Sequence, residues 1–179
     1  VANRHEVPYI FSTNASVLPR IDRSFVRGLQ TIIFSMPGFS QSSYDRVHGF
    51  PFATVCKNIA TIVRLTRKAG FNGGFRVSYH VYQFNLTEIA ACGDFTRRLG
   101  IDLQLNYAIL NHWDRLWAYV EDTLPYAALK EISQDLFMFR LRDLLPDTPA
   151  SYRCPQYDLL IIDERANVLL CCQVPKGDP

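Results

Sequence analysis

Apolar and polar residues alternate with two different periods along this chain, and the period switches repeatedly. Val7 to Ser12 is β-rich and apolar, Thr31 to Met36 alternates at the period of a strand, and Phe75 to Phe84 and Ile101 to Ile109 follow suit. Between these runs the apolar residues return every three or four positions. Phe52, Val55, Cys56, Ile59, Ile62 and Val63 form one helical stripe, with Pro51 as its first helical residue and Gly70 as a left-handed stop. Ile89, Cys92, Phe95 and Leu99 form another, closed by Gly100. Asn85-Leu86-Thr87-Glu88 before it reads as a capping box with Asn85 as the cap. Pro19 can open a short helix with Ile21, Phe25 and Leu29 on one side. Farther on, Trp113, Leu116, Trp117 and Val120 make one short amphipathic face, and Leu129, Ile132, Leu136 and Phe139 make a second after Pro125.

Four strands separated by helices, with connections long enough for crossovers, predict a parallel α/β sheet. A closed eight-stranded barrel needs about 250 residues, so four units in 179 predict a partial parallel (β/α) barrel of the TIM type. The pattern then breaks. Tyr157 to Ile162 and Val168 to Cys171 are short apolar runs joined by Asp163-Glu164-Arg165-Ala166-Asn167, the signature of a β-hairpin. The expected organisation is a barrel-like part over residues 1–150 and a hairpin-bearing part over 151–179.

Composition narrows the function classes. With 48% hydrophobic residues the chain can bury a core, and a net charge of +2 without a basic block sets nucleic acid aside as a partner. No run approaches the roughly 18 apolar residues of a membrane span, and the first residues lack a signal-peptide core. Five cysteines, at 56, 92, 154, 171 and 172, are odd in number and uneven in spacing, which argues against the disulfide framework of a small secreted domain. A soluble chain in the reducing cytoplasm is expected, without glycosylation at Asn14 or Asn85. Both ends read as cut from a longer chain, and the sheet edge this leaves is expected to promote association.

Strand alternation also predicts where chemistry collects. Val77, Tyr79 and Val81 form the apolar set of one strand and leave Ser78, His80 and Tyr82 for the other face. Leu103, Leu105 and Tyr107 leave Gln104 and Asn106, while Ile32, Phe34 and Met36 leave Ile33 and Ser35. With Ser12-Thr13-Asn14 ending the first strand, four strand ends present hydroxyls, amides and an imidazole to one place, as a polar small-molecule site requires. The alternative is a set of solvated strand termini. Cys56 and Cys92 lie on apolar stripes and are expected to pack as small hydrophobes. Gly70 to Gly74 follows a helix and precedes a strand, the reverse of a phosphate-binding turn.

The order of motifs resembles the radical SAM superfamily. Phe11-Ser12-Thr13-Asn14-Ala15 is similar to the segment ending that family's third strand, and Phe34-Ser35-Met36-Pro37-Gly38 to its fourth-strand Ser-x-x-Gly. Ser43-Tyr44-Asp45-Arg46-Val47-His48-Gly49, with Phe52, Val55, Asn58 and Ile59 after it, looks like the loop and helix that follow. Phe84-Asn85, with Glu88 and Ile89, looks like the fifth-strand exit. Cys154, eleven residues, Ala166, four residues and Cys171 resemble the opening of the SPASM extension, with Ala166 where that pattern has Gly and Asn167 the expected holder of the positive-φ turn.

This resemblance implies a piece of an enzyme that uses S-adenosyl-L-methionine and a 4Fe-4S cluster to generate a 5′-deoxyadenosyl radical and abstract a substrate hydrogen. The cofactor would carry the reaction while the barrel orients and shields it. It also implies a peptide, protein or small-molecule substrate and a reductant protein as partners. Ser35 would contact the ribose or carboxylate of the cofactor, and Thr13 and Asn14 would support the same pocket. Cys154 and Cys171 would supply part of an auxiliary cluster, commonly held by four thiolates. The family's Cys-x3-Cys-x2-Cys and Gly-Gly-Glu-Pro segments occur nowhere in the chain, so the residues present would not carry the reaction alone. The competing expectation is a non-catalytic degenerate barrel with a structural metal on its hairpin.

Overall fold

A computed structural model describes residues 7–110, 113–138, 158–163 and 166–169. The chain divides into two compact units, one ending at Ala108 and the other beginning at Ile109, whereas the sequence pattern changes near residue 150.

The first unit is a four-stranded sheet in the order β1 (Tyr9–Thr13), β2 (Leu29–Met36), β3 (Gly74–Val81), β4 (Asp102–Tyr107), every neighbouring pair parallel. Strand order equals chain order. With right-handed crossovers, this places the connecting segments on one face of the sheet, as in a barrel; a doubly wound sheet requires a reversal of order. The two faces differ accordingly. Ile32, Phe34 and Met36 of β2 and Phe75, Val77, Tyr79 and Val81 of β3 are buried, while Ser35, Ser78 and His80 between them remain half-buried. A parallel sheet covered on both faces would read as continuous apolar runs. This one alternates.

Helix α3 (Phe52–Lys68) buries its apolar stripe through Val55, Ile59, Ile62 and Val63. Each such side chain contributes about 1.5–3 kcal/mol when fully buried. Pro51 stands one position earlier than the sequence suggests, preceding the helix, and the Phe52 amide donates to Gln41 Oε1 at 2.8 Å. Gly70 (φ 96°) and Gly100 (φ 63°) are the left-handed stops expected after α3 and α4 (Ile89–Leu99).

Three local expectations are corrected. The helix after Pro19 is a single turn, α1 (Arg23–Val26). It begins only where Asp22 accepts from the Ser24 and Phe25 amides, and Leu29 already belongs to β2. The third strand stops at Val81, because Gln83–Glu88 forms a 3-10 turn before α4. Leu105 and Tyr107, expected on the covered face of β4, are 49% and 57% exposed. Helix α2 (Gln41–Val47), between β2 and α3, is capped by Ser40, whose Oγ accepts from the Ser43 amide at 3.1 Å.

The second unit contains α5 (Trp113–Val120), α6 (Tyr126–Ile132) and an antiparallel pair, β5 (Ile161–Ile162) with β6 (Val168–Leu169). Helix α6 is shorter than its stripe, ending before Leu136; Phe139 lies outside the described residues. The hairpin turn is held by Asp163, which accepts from the Asn167 amide at 2.8 Å and its side-chain amide at 3.0 Å. The left-handed residue is Ala166 itself (φ 65°), not Asn167. Tyr157 and Cys171, the outer bounds expected for the hairpin, lie outside the described residues.

Candidate functional site

In singly wound parallel sheets, ligands collect at the carboxyl ends of the strands. Here the uncovered face carries a polar row at that end. Ser35 pairs in register with Ser78, and Ser78 with Gln104, so these three share a face across β2, β3 and β4. Asn106 Nδ2 donates to Ser78 Oγ at 2.9 Å, and Gln104 Nε2 donates to Asn106 Oδ1 at 3.2 Å. The chain of bonds thus runs toward Ser78 and leaves its hydroxyl proton to be donated elsewhere. His80 pairs in register with Asn106. Burial, and secondarily the charge of His48, hold its imidazole below the usual histidine range, which favours the neutral ring at pH 7.

Aromatic groups frame this rim. The Arg46 guanidinium lies 4.2 Å from the centre of the Phe84 ring, and Tyr82 stacks on Phe84 at 4.8 Å. His48 stacks on Phe50 at 5.5 Å.

Two residues of the 3-10 turn fasten the strand exits together. Asn85, fully buried, donates through Nδ2 to the carbonyls of Pro37 at 2.7 Å and His80 at 2.9 Å, while its Oδ1 accepts from the Tyr82 amide at 2.9 Å. Its own carbonyl accepts from the Tyr79 hydroxyl at 2.9 Å. Burial, then the charges of Glu88 and Cys92, push the Tyr79 phenol up. Glu88 accepts from the Phe39 amide, from Ser40 Oγ at 2.6 Å and from Ser43 Oγ at 2.8 Å. Gly38 makes this approach possible, since a Cβ there would lie 2.3 Å from Ser43 Cβ and 2.9 Å from Glu88 Oε2.

The expected site residues fall in three places. Ser35 is half-buried on the uncovered face. Thr13 pairs in register with Phe34 and so shares the covered face; its Oγ1 accepts from the Ala15 amide at 3.0 Å. Asn14 accepts from the Ser16 amide at 3.0 Å, closing a turn whose left-handed residue, Ala15 (φ 54°), is fully buried; Asn58 Nδ2 donates to its carbonyl at 2.9 Å. Ser35 therefore stands with Ser78, Gln104 and Asn106, not with Thr13. Cys154, Cys171 and Cys172 lie outside the described residues.

Of the two described thiols, Cys92 is buried in the core and Cys56 is half-buried on the α3 stripe. Burial pushes Cys56 up to about 11 and Cys92 up to about 12, which favours the neutral thiol over the thiolate at pH 7. Among the described residues no three His, Cys, Asp or Glu side chains gather as metal ligands, and no helix is long and apolar enough to cross a membrane.

Sequence reasoning gave Glu88 a local capping role and Asn85 a cap. Their actual partners, 45 to 49 residues away for Glu88 and 48 for the Pro37 bond of Asn85, leave no local sequence signal. Comparison with protein-family models, curated proteins and solved structures returns no match for this chain.

Proposed function

We infer that the chain is the central part of a radical S-adenosylmethionine enzyme, a partial barrel whose uncovered polar face at the carboxyl strand ends holds the nucleoside cofactor. The observation that carries this is the unreversed strand order joined to an alternating polar face, with Ser35 and Ser78 adjacent on it. The residue types fit a ligand rich in hydroxyl and carboxylate oxygens, because that row offers hydrogen-bond donors on a sheet whose other face is apolar. When bound and reductively cleaved at an iron-sulfur cluster, S-adenosylmethionine supplies the hydrogen-abstracting radical. The chain's own part is to bind and orient: Ser35 on the cofactor, Asn106 and Gln104 fixing the Ser78 hydroxyl, and the Asn85 and Glu88 contacts holding the rim. The left-handed Ala166, at the position of Gly in the SPASM pattern, supports Cys154 and Cys171 as ligands of an auxiliary cluster. A peptide or protein substrate and a protein reductant complete the proposal.

The test is anaerobic reconstitution of the full-length protein, with iron and sulfide analysis and measurement of 5′-deoxyadenosine formed from S-adenosylmethionine under reduction. Iron, sulfide and the cleaved nucleoside are expected. Zinc alone, with no cleavage, refutes the proposal in favour of a binding module with a structural metal.

A further inference from the structure

One short turn anchors the loop that follows Ser35 at four residues. Asn85 holds the Pro37 carbonyl, and Glu88 holds the Phe39 amide and the Ser40 and Ser43 hydroxyls. Both anchors belong to Gln83–Glu88, the turn at the exit of β3. The loop at the exit of β2 is thus set by its neighbour's exit.

Glu88 has a local use available and does not take it. It stands at the N-terminus of α4, where a carboxylate commonly caps the first amides, yet it makes no side-chain cap bond there. Its two oxygens are given to a backbone amide and two hydroxyls of the facing loop. Ser43 is buried, and Gly38 has no room for a Cβ between Ser43 and Glu88, so the loop closes on the carboxylate at bare backbone.

We propose that Glu88 is a positioning residue for the ligand site: through the loop over 37–43 it fixes where Ser35 stands and how the rim beside it is shaped. This rests on the functional reading above. Glu88 bonds the loop at Phe39, Ser40 and Ser43 and acts through it.

The test uses the full-length protein, with S-adenosylhomocysteine as the probe in calorimetry and hydrogen exchange of residues 37–44 as a readout without ligand. Glu88→Ala is expected to speed exchange in that segment and to weaken binding about tenfold or more, the scale of a misplaced binding group. Glu88→Gln should restore both, since its amide oxygen can accept from Phe39 and its amide nitrogen can donate to the serine oxygens. Gly38→Ala should reproduce the loss with Glu88 intact. Faster exchange with unchanged affinity in Glu88→Ala would make the latch purely structural and overturns the proposal. Where Glu88→Ala fails to fold, Gly38→Ala carries the same comparison, and unchanged affinity there overturns it equally. A wild-type protein that does not bind the probe overturns the functional reading and this inference with it.

Discussion

Replacing Asn85 should damage the first unit more than any surface change, and by an amount the structure sets. Asn85→Ala deletes a side chain that satisfies three backbone groups: the Pro37 and His80 carbonyls at 2.7 and 2.9 Å and the Tyr82 amide at 2.9 Å. A buried polar group left without its partner costs about 1–3 kcal/mol. Pro37 is fully buried, whereas His80 and Tyr82 are half-buried and water can partly replace the lost bonds. The upper part of that range for Pro37 and the lower part for the two others gives a loss of about 4 to 5 kcal/mol. Equilibrium urea unfolding followed by circular dichroism should move its midpoint down by about 2 M, for a slope near the middle of the usual range. Asn85→Asp refines the test. Its carboxylate would turn oxygen toward two carbonyl oxygens, so its folded pKa must rise above the unfolded value of about 3.9. A raised folded pKa means stability present at low pH and lost as pH rises, so the deficit against wild type should be smaller at pH 4 than at pH 7. A deficit under about 1 kcal/mol for Asn85→Ala, or a pH-independent deficit for Asn85→Asp, would refute the role assigned to this side chain.

Three further outcomes follow from individual groups. The depressed His80 pKa means the unfolded chain takes up a proton that the folded one resists, so stability should fall as pH drops below about 6.5, less steeply in His80→Gln, with NMR titration of the ring reporting the shift. Cys56 and Cys92, at about 11 and 12, should resist iodoacetamide at pH 8 in the native protein and react readily in urea, as read by mass spectrometry, with half-buried Cys56 the faster of the two; rapid native labelling of Cys92 would contradict its core placement. Ala166→Gly should relieve a left-handed alanine by about 1 kcal/mol and slow exchange of the Asn167 amide about fivefold; unchanged or faster exchange would deny the turn geometry.

What the sequence makes legible here is what local spacing controls. The α3 stripe and its Gly70 stop, the Gly100 stop, and the alternation that separates Phe34 from Ser35 and Tyr79 from Ser78 all appear in the structure as read, because each is decided within a few residues. Choices between neighbours of equal propensity were not legible. Asn85 and Glu88 fit a capping box by spacing, but the fold offers them stronger partners across the β2 exit. Thr13 shares the covered face with Phe34 and not the face of Ser35, since one residue of register decides the face, while Asn14 closes the turn that follows. The apolar set of β4 was visible as a set, yet its exposure depends on what packs over it, which spacing does not encode.

The unreversed strand order has a consequence for engineering. Each step from Tyr9 to Tyr107 adds one parallel neighbour on the same side, so the sheet grows in a single direction along the chain. A foreign βα segment of like handedness could be grafted beside Tyr9–Thr13 or Asp102–Tyr107 without rethreading the polypeptide, and these borders are natural seams for chimeras.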